Sequence, residues 1–200
     1  SVVISVFNEE DIIGKCLDSL FKQDRLPDEI IIVDNNCSDN SLKIIKQYDV
    51  KVITESQQGI WRARKTGYDA AIGDIIICTD ADARFSTTWL SNIESHFLSD
   101  DNVAIAGPGI FYDGHKFANW LGGNLYMQSY FFFVGLALGH KPLFGSNMAF
   151  KRSSWLKIRD EVHCTEAVFD DIDLSYHLTK LGKIAYYSDI SNFISIRPLK

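Results

Sequence analysis

The chain has 200 residues, 46% of them hydrophobic, with four cysteines and a formal net charge of -6. That length and apolar content suffice for one domain with a substantial core, and no Pro/Gly/Ser-rich linker divides it. The acidic balance, without any Lys/Arg cluster, argues against a nucleic-acid partner, because a phosphate backbone demands a basic face.

In chain order, Val2 to Val6 reads as a short buried strand, followed by the polar loop Phe7-Asn8-Glu9-Glu10-Asp11. Ile12, Ile13, Cys16, Leu17, Leu20 and Phe21 recur at helical spacing, so one face of this helix packs on a sheet. Glu29 to Asp34 forms a second strand, and the loop after it offers Ser38 or Asp39 as a helix N-cap. A short helix to Tyr48, a strand from Val50 to Thr54, a turn at Gly59 and a helix from Ile60 to Ala71 follow. The run Ile75-Ile76-Ile77-Cys78-Thr79 is apolar enough for a strand buried on both faces. This β-α-β-α-β-α-β alternation predicts an α/β fold with a mainly parallel open sheet, right-handed crossovers and helices on both faces. Trp89, Leu90, Ile93 and Phe97 mark a further helix, and Val103 to Ala106 a further strand.

After Gly107 the pattern changes. Between Lys116 and Lys141 there is no Asp, Glu, Lys or Arg, and the centre reads Tyr130-Phe131-Phe132-Phe133-Val134. Polar residues interrupt it too often for a spanning helix of about 20 apolar residues. Two readings stand for this stretch: a buried core helix, or an aromatic segment lying on a membrane surface. Gly145-Ser146-Asn147 leads into another strand, Phe169-Asp170-Asp171 opens a helix that Gly182 ends, and Lys183 to Tyr187 and Asn192 to Ile196 have the look of edge strands.

The residues most suggestive of chemistry are Asp80 and Asp82, two apart at the far end of the fourth strand. Open α/β sheets bind ligands at that carboxyl edge. Two hard oxygen donors there suit Mg²⁺ or Mn²⁺ shared with a substrate's phosphates, although solvated loop acids have the same spacing. Asp170 and Asp171 are open to two readings as well, as functional carboxylates or as acids favoured by a helix N-terminus. The cysteines (Cys16, Cys37, Cys78, Cys164) lack paired short spacing and read as buried reduced thiols of a cytosolic-facing protein. The five histidines show no ligand spacing and read as structural or solvated. The abrupt ends, an apolar strand at one and Arg197 to Lys200 at the other, point to an excised domain whose targeting segments lie outside it.

Taken together, Ser1 to Glu10, Val33-Asp34-Asn35-Asn36-Cys37-Ser38-Asp39, Gly59 with Ala63-Arg64, Asp80-Ala81-Asp82, Gly145-Ser146-Asn147 and Phe169-Asp170-Asp171 resemble the family 2 glycosyltransferases with the GT-A fold. The resemblance covers nearly the whole chain. It implies one GT-A domain, with residues 1–107 binding a nucleotide sugar and 108–200 binding the acceptor. It further implies that Ser5, Phe7, Glu9, Asp34, Arg64 and Asp80 contact the nucleotide, with Phe7 stacked on the base and Asp34 accepting its imino proton. Asp82 would ligate Mn²⁺ or Mg²⁺ with Asp80 beside it. Gly145, Ser146 and Asn147 would meet the acceptor, and of the acidic pair Asp171 would be the base. Ser5 stands where the family often has Pro, and Lys65 where it often has Asn. A Gln-x-x-Arg-Trp motif, typical of processive synthases, is absent, which favours single addition.

The implied function is metal-dependent, inverting transfer of a sugar from a UDP- or GDP-sugar to an acceptor hydroxyl on a lipid-linked or cell-surface glycan. The implied place is the cytoplasmic side of the membrane, peripheral or tethered. The alternative is a domain that binds a sugar nucleotide or docks on a membrane without catalysis. A haloacid-dehalogenase phosphatase also uses Asp-x-Asp after a strand, but at its first strand and with Thr or Val where this chain has Arg84. A dinucleotide site fails because Tyr112 occupies the place of the third glycine after Gly107 and Gly109.

Overall fold

A computed structural model describes residues 1–113, 125–163, 165 and 168–196 of the chain. Its strands are β1 (Val2–Val6), β2 (Ile30–Asp34), β3 (Lys51–Thr54), β4 (Ile75–Asp80), β5 (Arg84–Phe85), β6 (Asn102–Ala106), β7 (Gly109–Phe111), β8 (Asn147–Lys151), β9 (Lys183–Tyr186) and β10 (Asn192–Ile194). Helices α1 (Ile13–Leu20), α2 (Ser41–Ile45), α3 (Ile60–Ala70) and α4 (Trp89–Ser99) connect the first six of them. Seven strands form one sheet in the order β3-β2-β1-β4-β8-β6-β9. Pairing is parallel throughout except at β8, which runs antiparallel to both β4 and β6.

Alternate residues of a strand face opposite sides of its sheet, and both sides are buried here. Val2, Ile4, Val6, Ile30 and Ile32 join Ile13, Leu17, Leu20 and Trp89 in one apolar cluster. Val3, Ile31 and Val33 join Trp61, Tyr68, Trp155 and Leu174 in the other. This two-sided burial is the physical reason that β1, β2 and β4 are runs of β-branched residues rather than alternating ones. On the second face α3 lies unusually close, because Gly67 has no side chain. A Cβ there would sit 2.3 Å from Val3 Cγ1 and 3.0 Å from Val33 Cγ2.

The register places the chemistry. Val6 pairs with Asp34 and Ser5 with Asp80, so β1, β2 and β4 end at one level. The chain leaves β1 toward β2 and β3 and returns on the other side as β4, which makes the β1/β4 boundary a topological switch point. Antiparallel β8 starts at the same edge, with Asn147 opposite Thr79, and so brings the Gly145-Ser146 loop beside Asp80.

Several expectations need correction. Asn192 to Ile194 is not an edge strand: β10 is the middle of a separate three-stranded sheet, between β5 and β7. The N-cap of α2 is Asn40 rather than Ser38 or Asp39, although Asp39 Oδ1 still accepts the Ser41 N–H at 2.9 Å. The aromatic stretch is neither wholly core nor wholly surface. Residues 125–129 are helical, Tyr130–Val134 is a π-helical turn, and Gly135–Leu138 continues it. Met127 and Phe131 are buried, whereas Leu125, Phe132, Phe133 and Leu136 face outward at 62–73% exposure. The expectation for 116–124 lies outside the described residues, as does Cys164. Cys16, Cys37 and Cys78 are free thiols, and burial pushes that of Cys78 up to about 12, so it is an inert apolar filler.

Candidate active site

Two loops shape one side of the site. Asn8 and Asn36, just beyond the ends of β1 and β2, adopt φ of 54° and 68°, left-handed values that Asn tolerates better than bulkier residues. The loops are then stitched together. Asn8 Oδ1 accepts the Ser38 N–H at 2.8 Å, the Glu9 N–H donates to Ser41 Oγ at 2.7 Å, and Glu10 Oε2 accepts from Asn40 N at 2.8 Å. Held in this way, Phe7 stays half exposed and faces a cleft of about 660 Å³ at the switch point. Ser5, Glu9, Arg64, Asp80, Asp82 and Asp170 line the same cleft.

Arg64 organises the floor. It projects from α3, is only 5% exposed, and its guanidinium donates from Nη2 to Asp80 Oδ1 at 2.7 Å and from Nη1 to Asp170 Oδ2 at 2.5 Å. Gly145 makes room for it: a Cβ there would stand 2.4 Å from Nη1. The Ser146 hydroxyl donates to the other Asp80 oxygen. Asp80 is therefore held by two partners, one from α3 and one from the loop before β8.

Asp171 is placed differently. Its Oδ2 accepts the Gly145 N–H at 3.0 Å and lies 3.4 Å from the Tyr130 hydroxyl, which donates to Leu143 O at 2.7 Å. Its Oδ1 accepts the Ile172 N–H at 2.9 Å. Burial, and next the neighbouring Asp170 carboxylate, raise its pKa above the ordinary aspartate range. That reverses the effect expected of a helix N-terminus. The dipole offers roughly 0.3–1 kcal/mol at an exposed terminus, whereas desolvation of a carboxylate can shift it by several pKa units.

Not every residue implicated by sequence reaches the cleft. Asp34 is buried at the end of β2, and its Oδ1 accepts the Cys37 N–H at 2.9 Å; Asn35 lines the cleft instead. Asn147 is fully buried, with its amide donating to Pro108 O and Ile190 O and its Oδ1 accepting from Trp89 Nε1, so it braces the core. Asp171 lines neither the main cleft nor a smaller recess of about 130 Å³ that adjoins it across Asp80 and Asp82. Ser146 does line that recess, with Phe111, Tyr126, Phe144 and Ser195. Sequence reasoning missed Asn35, Gln58 and Ile60 in the cleft and Tyr130 beside Asp171. Asn35 directly follows an implicated residue, but Gln58 and Tyr130 carry no local signal.

Two buried polar atoms on residues that line the cleft, Ser5 Oγ and Arg64 Nε, have no hydrogen-bond partner among the described residues. Unsatisfied buried groups are uncommon and mark places where a ligand or water completes the bonding. The Asp80 and Asp82 oxygens beside them are hard donors of the kind that suit Mn²⁺ or Mg²⁺.

The profile of Glycosyl transferase family 2 matches residues 1–158. The chain belongs to this family. Among curated family relatives, it is 33% identical over 118 residues to glycosyltransferase AglE of Haloferax volcanii, covering 55% of this chain and 38% of AglE. It is 40% identical over 91 residues to the poly(ribitol-phosphate) beta-glucosyltransferase of Bacillus spizizenii, covering 41% of this chain and 14% of that protein. The chain thus matches well under half the length of either relative. Solved structures share its GT-A fold. S. aureus TarS 1-349 in complex with UDP-GlcNAc superposes with a TM-score of 0.75 at 16% identity, over 97% of this chain and 57% of TarS. The mannosyltransferase PcManGT from Pyrobaculum calidifontis, in complex with GDP-Man and Mn²⁺, gives 0.71 at 19% identity, over 98% and 56%.

Proposed function

We propose that this family 2 domain transfers a sugar from a UDP- or GDP-sugar to an acceptor hydroxyl, with inversion and with a divalent ion bound. The observation that carries this reading is the convergence of Asp80, Asp82, Arg64 and Phe7 on one cleft at the switch point, with Asp171 adjacent. Phe7 stacks on the nucleobase, and Asp34, through its bond to Cys37, shapes the base end of the cleft. Ser5 Oγ gains a partner in the nucleotide. Asp82, with Asp80 beside it, would hold Mn²⁺ or Mg²⁺, which when bound would supply positive charge against the departing diphosphate.

Arg64 fixes Asp80 and Asp170 relative to each other. Because Asp170 is committed to Arg64, Asp171 is the proton acceptor. As the acceptor oxygen bonds to the anomeric carbon and the carbon–diphosphate bond breaks, the hydroxyl proton passes to Asp171. Its raised pKa makes it a stronger base than an ordinary aspartate. Attack opposite the leaving group in a single displacement inverts the anomeric centre.

The acceptor is a lipid-linked or cell-surface glycan, and residues 108–200 supply its side of the site. Ser146 in the recess beside Asp80 supports this, and so does the outward row Leu125, Phe132, Phe133 and Leu136, whose aromatic character suits a membrane interface. Among the described residues no helix is long and apolar enough to cross a membrane; in this reading these elements touch the cytoplasmic membrane from its surface. The test is release of nucleoside diphosphate from a panel of UDP- and GDP-sugars with Mn²⁺ and lipid-linked saccharide acceptors. Turnover of a donor that is lost in Asp171→Asn supports the proposal. Tight donor binding with no turnover across the panel supports the non-catalytic alternative.

A further inference from the structure

Beyond the cleft, the helix Asp170–Thr179 carries a second cluster on residues that the transfer reaction does not use. His163, Asp173 and His177 each offer one donor atom within 4.8 Å of the others. Asp173 Oδ1 lies 2.8 Å from His163 Nδ1 and 3.7 Å from His177 Nε2, and Asp173 Oδ2 accepts the His163 N–H at 2.8 Å. Asp173 and His177, four apart, share one face of the helix, and His163 meets them from the preceding segment. The sequence spacing of the histidines had given no sign of this, because the third ligand arrives from outside the helix.

His177 is the telling residue. It is only 4% exposed, yet among the described residues neither ring nitrogen has a hydrogen-bond partner. Nε2 is too far from Asp173 for a hydrogen bond, and Nδ1 faces Glu161 Oε2 at 3.4 Å without hydrogen-bond geometry. A buried imidazole left unsatisfied on both sides is costly. A divalent ion would satisfy it. Donors at about 2.0–2.1 Å from a tetrahedral ion lie roughly 3.4 Å apart, between the 2.8 and 3.7 Å separations that Asp173 Oδ1 makes here. Metal on Nε2 would leave the Nδ1–H beside the Glu161 carboxylate, 3.4 Å away, the kind of group that commonly orients such ligands once hydrogen-bonded.

We propose that His163, Asp173 and His177 form a structural Zn²⁺ site, with water in the fourth position and access past the side chain of His163, which is 62% exposed. Two imidazoles and one carboxylate suit Zn²⁺, whereas the all-oxygen pair Asp80 and Asp82 suits Mn²⁺ or Mg²⁺. The two sites therefore differ in ion as well as in place. The bound ion ties the segment before the helix to the helix that bears Asp170 and Asp171.

The test uses the protein stripped with a chelator, then titrated with Zn²⁺ or Co²⁺ in excess Mg²⁺. The expected result is one equivalent bound, a rise in melting temperature, and visible Co²⁺ absorption bands of tetrahedral intensity. His163→Ala, which removes a mostly exposed side chain and keeps the backbone N–H bond to Asp173, loses all three, and Asp82→Ala keeps them. No binding by the parent, unchanged binding by His163→Ala, or loss of binding in Asp82→Ala would each overturn the assignment. None of these readouts depends on sugar transfer, so failure of the transferase reading leaves this test intact.

Discussion

Replacing Arg64 by Met removes the guanidinium that joins Asp80 to Asp170, while the new side chain still fills the space of the aliphatic stem. Breaking a buried ion pair from one side costs about 3–5 kcal/mol, because the remaining charge stays uncompensated. Asp170 has a side chain only 13% exposed and bears most of that cost, whereas Asp80, at 32%, is partly solvated and keeps its bond from Ser146. Arg64 Nε has no partner among the described residues, so its removal returns some desolvation energy. The net loss is about 3 kcal/mol, which for an m-value of about 2–3 kcal/mol/M lowers the urea midpoint by about 1 M. Lys65→Met is the control: its pair with Asp69 is an i,i+4 contact of partly exposed side chains, worth under about 1 kcal/mol. Equal, small shifts for Arg64→Met and Lys65→Met in urea denaturation would refute the view that Arg64 braces the site.

Three further outcomes follow from the same geometry. Asp171→Asn keeps the size and loses proton acceptance, so steady-state turnover falls about 10²-fold or more with nucleotide affinity nearly unchanged; loss in Asp170→Asn with retention in Asp171→Asn would move the base to Asp170. Phe7→Ala weakens nucleoside diphosphate binding by about 1–3 kcal/mol in calorimetry, while melting is little changed because Phe7 is half exposed. The double variant Phe132→Ser and Phe133→Ser melts within a few degrees of the parent, since both rings face outward, but floats less with anionic liposomes; flotation equal to the parent would remove the membrane role of this row.

The central strands were legible because burial on both faces leaves a homogeneous β-branched run, as in Ile30–Asp34 and Ile75–Asp80. The place of Asp80 and Asp82 followed, since ligands collect where such strands end. What stayed hidden depends on contacts between distant residues. Arg64 and Asp170 are 106 positions apart, and only the antiparallel insertion of β8 and the docking of the last long helix bring them together. Asn147 was implicated by motif, yet its amide is used up by Trp89, Pro108 and Ile190 from three separate segments. Asn192 to Ile194 was misplaced for the same reason, because its partners β5 and β7 are too short to announce themselves as strands. Asp171 shows a local rule losing to a tertiary one: the helix terminus favours its charge, and burial outweighs it.

The proposed activity requires a nucleotide cleft completed by a divalent ion at Asp82. Isothermal titration of UDP and GDP, with and without Mn²⁺, into the parent and into Asp82→Ala addresses it most directly. The predicted result is binding of one of the two nucleotides by the parent, strengthened at least tenfold by Mn²⁺, with that enhancement lost in Asp82→Ala. Equal affinity with and without Mn²⁺, or an enhancement that survives in Asp82→Ala, would contradict it.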